Sequence, residues 1–460
     1  MNVVHLVAGA GGMYCGACLH GNTLAAALGK AGHEALLVPV YTPIRTDEES
    51  VAIERVVFGG VNVYLQQRSG LFRRTPAVID RLLDHPALLR RVSRRSSAVR
   101  PEMLGELTVS MLQGEEGRQR KELKKLILWL KREVRPELVH LSTVLLAGMA
   151  REISRQLDVP VVSTLSGEDA FLERLPEPHY GEARAILRNR CRDLAAMVAL
   201  NRYYAGFMAE YLAAPQERIH VIPPGLNLSG HAVPSVPRPS VEAGRSRGGE
   251  VTIGFLSRIC ADKGLDQLAE AFCLLAEDRD LPLLQLRAAG YLAERDRPYL
   301  AEIEARLAAR GLAGRFQYVG EIARTEKIAF LQSLYVMCLP TIYRESKGLP
   351  VLEAWANGVP VVVPAHGVFP ELIEDTGGGL LCPPHDPAAL AGALKRLIQD
   401  PRLAAECGRR GQEAVHQRYH ADLMAQRTAA LYETLTRPTA ATKRRASPPA
   451  TRHSEQDTNS

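Results

Sequence analysis

The sequence predicts an α/β protein built from two doubly wound domains. Short apolar runs alternate with helical stretches through both halves, and a Pro/Gly-rich stretch poor in apolar residues divides them. At 460 residues the chain is long enough for two domains with sizeable cores. In the first half, Val3–Val7, Ala35–Val40, Leu138–Leu141, Val159–Thr164, Met197–Leu200 and His220–Ile222 read as buried strands of a parallel sheet. Residues 231–249 hold Pro234, Pro237, Pro239, Gly244, Gly248 and Gly249 and read as a linker. Beyond it, Val251–Leu256, Leu283–Ala288, Phe316–Val319, Val336–Pro340 and Val359–Val363 repeat the architecture. The expected domains are 1–230 and 250–418. A C-terminal helix over 419–435 is expected to return to the first domain. Residues 436–460 contain no Leu, Ile, Val or Phe and are expected to be disordered.

The densest chemical signal is Tyr343–Gly358, YRESKGLPVLEAWANG, which carries Glu345 and Glu353 on either side of Gly348 and Pro350. The flanking runs YVMCLP and VPVVVP read as strands. Gly348 permits a tight turn, and Pro350 suits a first helical turn, where its missing N–H costs nothing. Glu345 then lies in the loop entering a helix and Glu353 about one turn inside it. Free amides at such a helix start suit phosphate. Carboxylates on both sides suit sugar hydroxyls as strong acceptors. Phosphate flanked by two polyols describes a nucleotide sugar. A second signal agrees: in Thr252–Gly264, TIGFLSRICADKG, Arg258 and Lys263 follow an apolar strand, where ligands of open α/β sheets bind. Arg258 can clamp a diphosphate bidentately and Lys263 can act as a point charge.

Gly254–Gly264, Glu345–Gly358 and His366–Leu381 together resemble the C-terminal domain of retaining glycosyltransferases of family 4, with the GT-B fold of two Rossmann-like domains facing each other across a cleft. The resemblance covers nearly all of 250–400. It reaches the first half more loosely, through Gly9–Gly12 and Val221–Gly225. It implies a hexosyl transfer from a nucleotide diphosphate sugar to a sugar or lipid-linked acceptor, in polysaccharide or glycolipid synthesis, without metal or cofactor. In that scheme Arg258 and Lys263 bind the diphosphate, Glu353 the ribose hydroxyls and Glu345 the transferred sugar. The amides of Gly348 and Leu349 approach sugar and phosphate, and the loop with Gly11 and Gly12 faces the donor sugar.

Two departures stand out. Lys347 occupies the place before the glycine where the family commonly has an apolar residue. Such a cation could meet an acidic donor, and the expectation is that it reaches solvent. In Thr164–Asp169, TLSGED, Ser166 stands where many members carry histidine. A serine without a partner is no base near neutral pH, so Glu168, Asp169 or the donor's own phosphate must take the proton. A degenerate, non-catalytic binder of nucleotide sugars is therefore an alternative reading.

Other motifs are weaker. Gly9 and Gly11 begin a dinucleotide fingerprint, but Tyr14 holds its last glycine position and no acidic residue ends the second strand, which argues against NAD. Cys15 and Cys18 form a CxxC at a helix start, a second alternative based on thiol redox chemistry. Asp278 and Asp280 mimic a metal-binding D-x-D but read as solvated charges. Apolar residues at 46% and charged residues at 23% fit a soluble globular protein. No run approaches the ~20 apolar residues of a membrane span. Eight scattered cysteines and a chain that opens almost on a strand suggest a cytoplasmic protein.

Net charge is +6, yet residues 68–100 alone carry nine arginines against Asp80 and Asp84. That segment offers peripheral contact with an anionic membrane on its inner face, or with an acidic acceptor. Without interleaved aromatics it does not suggest nucleic acid. A second basic stretch, 118–135, sets Leu123, Leu126, Ile127, Leu130 and Val134 at helical spacing and is expected to pack on the sheet.

Overall fold

The structure is a computed structural model that describes residues 1–9, 13–68, 104–232 and 249–437. Gly11 and Gly12, the arginine-rich segment beyond Arg68, most of the linker and the expected disordered tail from 438 lie outside the described residues.

Among the described residues, twelve strands form two parallel sheets. The first holds β1 (Asn2–Ala8), β2 (Glu34–Val40), β3 (Leu138–Leu141), β4 (Val161–Leu165), β5 (Ala196–Ala199) and β6 (Ile219–Val221), in the order β2-β1-β3-β4-β5-β6. The second holds β7 (Val251–Leu256), β8 (Leu284–Ala289), β9 (Phe316–Tyr318), β10 (Val336–Cys338), β11 (Val361–Pro364) and β12 (Gly379–Cys382), in the order β12-β11-β10-β7-β8-β9. β10 and β11 are buried along their whole length. Valine-rich runs suit strands covered on both faces, because branched side chains pack well on a pleated surface. The doubly wound fold is as expected, and each expected strand is present. β12 is additional: a four-residue run opening on glycine has little β signature, yet it pairs with β11 from Val361↔Gly379 to Pro364↔Cys382.

The strand order reverses once in each sheet, between β1 and β3 and between β7 and β10. Open α/β sheets bind ligands beyond the carboxyl ends of their strands at such points. Here both points open onto one cavity.

In the first domain, the Arg120–Trp129 helix buries Leu123, Leu126 and Ile127 in the core, so its apolar stripe is a packing face. The Ala421–Thr436 helix lies on the first domain, where Met424, Ala425, Leu431 and Tyr432 pack with Val3, Leu24, Leu28, Leu138 and Val162. The chain entering this helix runs beside the chain leaving β6. Leu226 N–H donates to the Tyr419 carbonyl at 2.7 Å, and Ala421 N–H donates to the Leu226 carbonyl at 2.9 Å. Gly225 is needed there, because a Cβ would lie 2.6 Å from the His420 carbonyl oxygen.

The docking also closes a polar cluster. The Tyr432 hydroxyl meets His140 Nδ1 and, at 3.3 Å, His5 Nε2, while His140 Nε2 meets Thr164 Oγ1 at 2.8 Å. Burial drives the pKa of His5 down to about 3 and that of His140 well below its usual value. Both are neutral in the fold, whereas the unfolded chain protonates them below about pH 6.5. Stability should therefore be full above pH 6.5 and fall as the pH drops towards 4, by roughly 1.4 kcal/mol per pH unit for each histidine. Urea unfolding at pH 7, 6 and 5 should show that loss, with a shallower slope in His5→Gln. Identical slopes in the two proteins would mean that His5 charges in place.

Candidate functional site

A cavity of about 1190 Å³ lies between the domains, lined by Ala8, Thr42, Asp47 and Ser166–Glu168 on one side and by Arg258, Lys263, Glu345–Lys347, Leu349 and Glu353 on the other. Its second-domain wall starts where β7 ends. Ser257 and Arg258 lead to a single helical turn, Ala261–Lys263, and then to Gly264 at φ +74°. A Cβ on Gly264 would lie 1.9 Å from the Pro340 carbonyl oxygen, so only glycine lets the Leu265–Ala276 helix start against the end of β10.

The side chains placed there differ in their partners. Arg258 is exposed in the cavity and has no carboxylate within 4.0 Å among the described residues. Lys263 is buried, and its Nζ lies 2.8 Å from Glu345 Oε2. The Tyr343 hydroxyl also donates to Glu345 Oε2, at 2.6 Å. Burial alone would raise the Glu345 pKa, but the charge and hydrogen bond of Lys263, aided by Tyr343, outweigh it and hold the carboxylate well below its usual range. Glu345 is thus a buried, fully ionised acceptor.

Gly348, at φ +70°, opens the Leu349–Ala356 helix, with Pro350 in its first turn. In that turn Pro350 has no N–H and Val351 N–H donates to the Gly348 carbonyl at 3.0 Å, which leaves the Leu349 amide without a partner in the helix. Glu353 faces the same cavity, and its carboxylate meets Lys327 Nζ, which also meets Asp47 of the first domain. All three side chains are less than a tenth exposed. Burial would lower the Lys327 pKa, yet Glu353 and Asp47 raise it, so the lysine is charged. Beside this triad, Arg324 Nη1 lies 3.1 Å from Glu48 and Arg45 Nη1 lies 2.9 Å from Glu321, so residues 45–48 fasten the first domain to 321–327. Sequence reasoning missed Lys327 and Asp47. Lys327 reads as one more charge in the Arg324–Gln332 helix, and its partner is remote in the chain.

On the first-domain wall, Glu168 is buried and engaged. It accepts from Ser166 N–H at 2.8 Å, from Ser166 Oγ at 3.0 Å and from Thr143 Oγ1 at 2.6 Å. Asp169 accepts from the Tyr204 hydroxyl at 2.7 Å and is not part of the cavity lining. Burial, only partly offset by that hydrogen bond, raises its pKa. Asn201 Nδ2 reaches across to the Ser346 carbonyl at 2.7 Å.

Cys15 caps the Gly16–Lys30 helix and lines the cavity, and a hydrogen bond from Cys18 and the charge of Lys347 hold its thiol well below the usual pKa. Both cysteines are free thiols. Among the described residues no His, Cys, Asp and Glu cluster could hold a metal ion. Asp278 pairs with Lys395 at 2.5 Å, in the connection before β8 and apart from the cavity. Lys347 does not stand out in open solvent as expected: it is half-buried against the cavity. No described helix is long and apolar enough to cross a membrane.

Residues 240–414 match the model of the glycosyl transferases group 1 family, and residues 107–229 match that of glycosyltransferase family 4. The chain is 30% identical over 232 residues to the 2-deoxystreptamine glucosyltransferase of Streptomyces kanamyceticus, across 50% of this chain and 58% of that protein. It spans about six-tenths of the length of the first curated relatives it matches. Among solved structures, sucrose-phosphate synthase from Thermosynechococcus elongatus aligns with a TM-score of 0.70 and 18% identity, over 95% of this chain and 99% of that one. HepE from Anabaena in complex with UDP aligns with a TM-score of 0.65 and 16% identity, over 95% and 100%. At these identities the likeness shows the fold.

Proposed function

Because this GT-B chain belongs to the group 1 and family 4 glycosyltransferases, we propose that it moves a hexosyl group from a nucleoside diphosphate sugar to an acceptor hydroxyl with retention of anomeric configuration. The observation that carries this is the pairing pattern of the second-domain wall. Arg258 is a cation without a carboxylate partner beside a free helix N-terminus, while Lys263 is tied to an ionised Glu345. An unpaired guanidinium next to free amides suits a diphosphate, and a buried carboxylate suits sugar hydroxyls. Negative charge on the leaving diphosphate would be met by Arg258, Lys263 and the amides of Gly348 and Leu349, without a metal. Glu353, already oriented by Lys327, would accept the ribose hydroxyls. The UDP bound by HepE supports a uridine donor as the first to try.

Glu168 has its acceptor capacity engaged, and Asp169 points elsewhere. The acceptor proton would therefore leave through the donor's own phosphate oxygen, and attack from the face of the departing diphosphate retains configuration. The acceptor, a sugar or a lipid-linked sugar, would enter along the first-domain wall, and the arginine-rich segment would contact anionic lipid. Calorimetric titration of UDP, GDP and ADP and of their sugars tests the donor claim. Absence of binding by every one would end it.

The depressed Cys15 thiol is the specific observation that favours a thiol redox reading instead. The double variant Cys15→Ser, Cys18→Ser should retain sugar transfer within a few-fold, measured by product formation. Loss of transfer together with loss of disulfide exchange would favour the redox reading.

A further inference from the structure

Lys347 differs from the other lysines of the cavity. Lys263 is held by Glu345, and Lys327 by Asp47 and Glu353. Lys347 has no carboxylate within 4.0 Å among the described residues. Arg258 is likewise unpaired, but a diphosphate accounts for it. Lys347 is nevertheless half-buried and lines the cavity. Both sides of its backbone are pressed against the first domain: a Cβ on Gly167 would lie 3.0 Å from Ser346 Oγ, and one on Gly16 would lie 3.2 Å from Leu349 Cδ1. Its own N–H donates to Glu345 Oε1 at 3.2 Å, which sets it beside the carboxylate proposed to hold the sugar. Its charge is felt on both sides of the cleft, where it contributes to the lowered pKa values of Cys15, His20 and Glu345.

A partly desolvated ammonium without a counter-ion is costly, and a ligand carboxylate placed beside it would offset that cost. A neutral hexose offers only hydroxyls. We propose that the transferred sugar is acidic, a hexuronic acid whose carboxylate pairs with Lys347 Nζ. The donor is favoured over the acceptor as the source, because Lys347 stands two residues from Glu345 and next to the Gly348 turn. The acceptor wall, by contrast, is apolar at Leu65, Leu107 and Phe171. The inference rests on the transfer reading above.

The test compares matched donors that differ only in charge: UDP-glucuronic acid with UDP-glucose, UDP-galacturonic acid with UDP-galactose, and GDP-mannuronic acid with GDP-mannose. Calorimetry should show at least one acidic donor binding about 10–100-fold more tightly than its neutral partner, as for one charge-assisted pair. In Lys347→Ala that ratio should collapse towards one, and in Lys347→Arg it should largely persist. Titration of the bare nucleoside diphosphate reports whether each variant is folded. Neutral donors binding as tightly as acidic ones, or a ratio unmoved in Lys347→Ala, would overturn the inference and leave the transfer reading standing. If no nucleoside diphosphate binds at all, both are gone.

Discussion

Arg258→Ala should lower kcat by about 10²–10³-fold, the loss expected when a preorganised cation is withdrawn from charge that develops in the transition state. Arg258 has no carboxylate within 4.0 Å among the described residues, so its full charge is available to the leaving diphosphate. Asp169→Asn, by contrast, should cost less than the ~100-fold expected for removing a general base. Glu168→Gln should act on folding more than on chemistry, because Glu168 braces Ser166 and Thr143. Proton NMR of fresh product should show the anomeric configuration of the donor. An inverted product, with Arg258→Ala mild and Asp169→Asn severe, would mean that a carboxylate base drives direct displacement.

The two cavity glutamates should differ in kind. Glu353→Ala should weaken binding of both the nucleoside diphosphate and the full donor by about 1.5–3 kcal/mol, the worth of a hydrogen bond to a charged group. Part of that loss would come from Lys327, which would keep Asp47 but lose its second carboxylate. Glu345→Gln should leave binding of the bare nucleoside diphosphate nearly intact and depress turnover. The amide is the better probe at 345, since alanine would strand Lys263 as a buried, unpaired cation, a change that typically costs several kcal/mol. Calorimetry with both ligands, beside steady-state kinetics, separates the two residues. Equal and negligible effects would remove both from the donor site.

What could be read in the amino-acid sequence was what is local in the chain. Strands covered on both faces announce themselves as unbroken apolar runs, so β10 and β11 were legible, whereas β12 opens on glycine at a sheet edge and was not. Gly348, Pro350 and the two glutamates lie within one turn-and-helix segment, so their geometry followed from backbone rules. The contacts of Glu353 did not, because Lys327 comes from another helix and Asp47 from another domain. The same holds for Glu168. Its position in TLSGED made it a candidate base, while its engagement by Thr143 depends on how β3 and β4 are aligned.

The paired crossing at Leu226 and His420 has a mechanical consequence. The chain passes between the domains twice, and at this place the two passages are hydrogen-bonded to each other rather than spread across the interface. Two tethers bound side by side leave a pivot. Rotation about it remains open, while sliding of one domain along the other would break both bonds and push the Gly225 backbone into the carbonyl of His420. Opening the cavity to admit a donor by rotation there would also have to part Asn201 from Ser346 and Arg202 from Asp375. Residues 45–48, on the far rim, would release Lys327 and Arg324 in the same stroke.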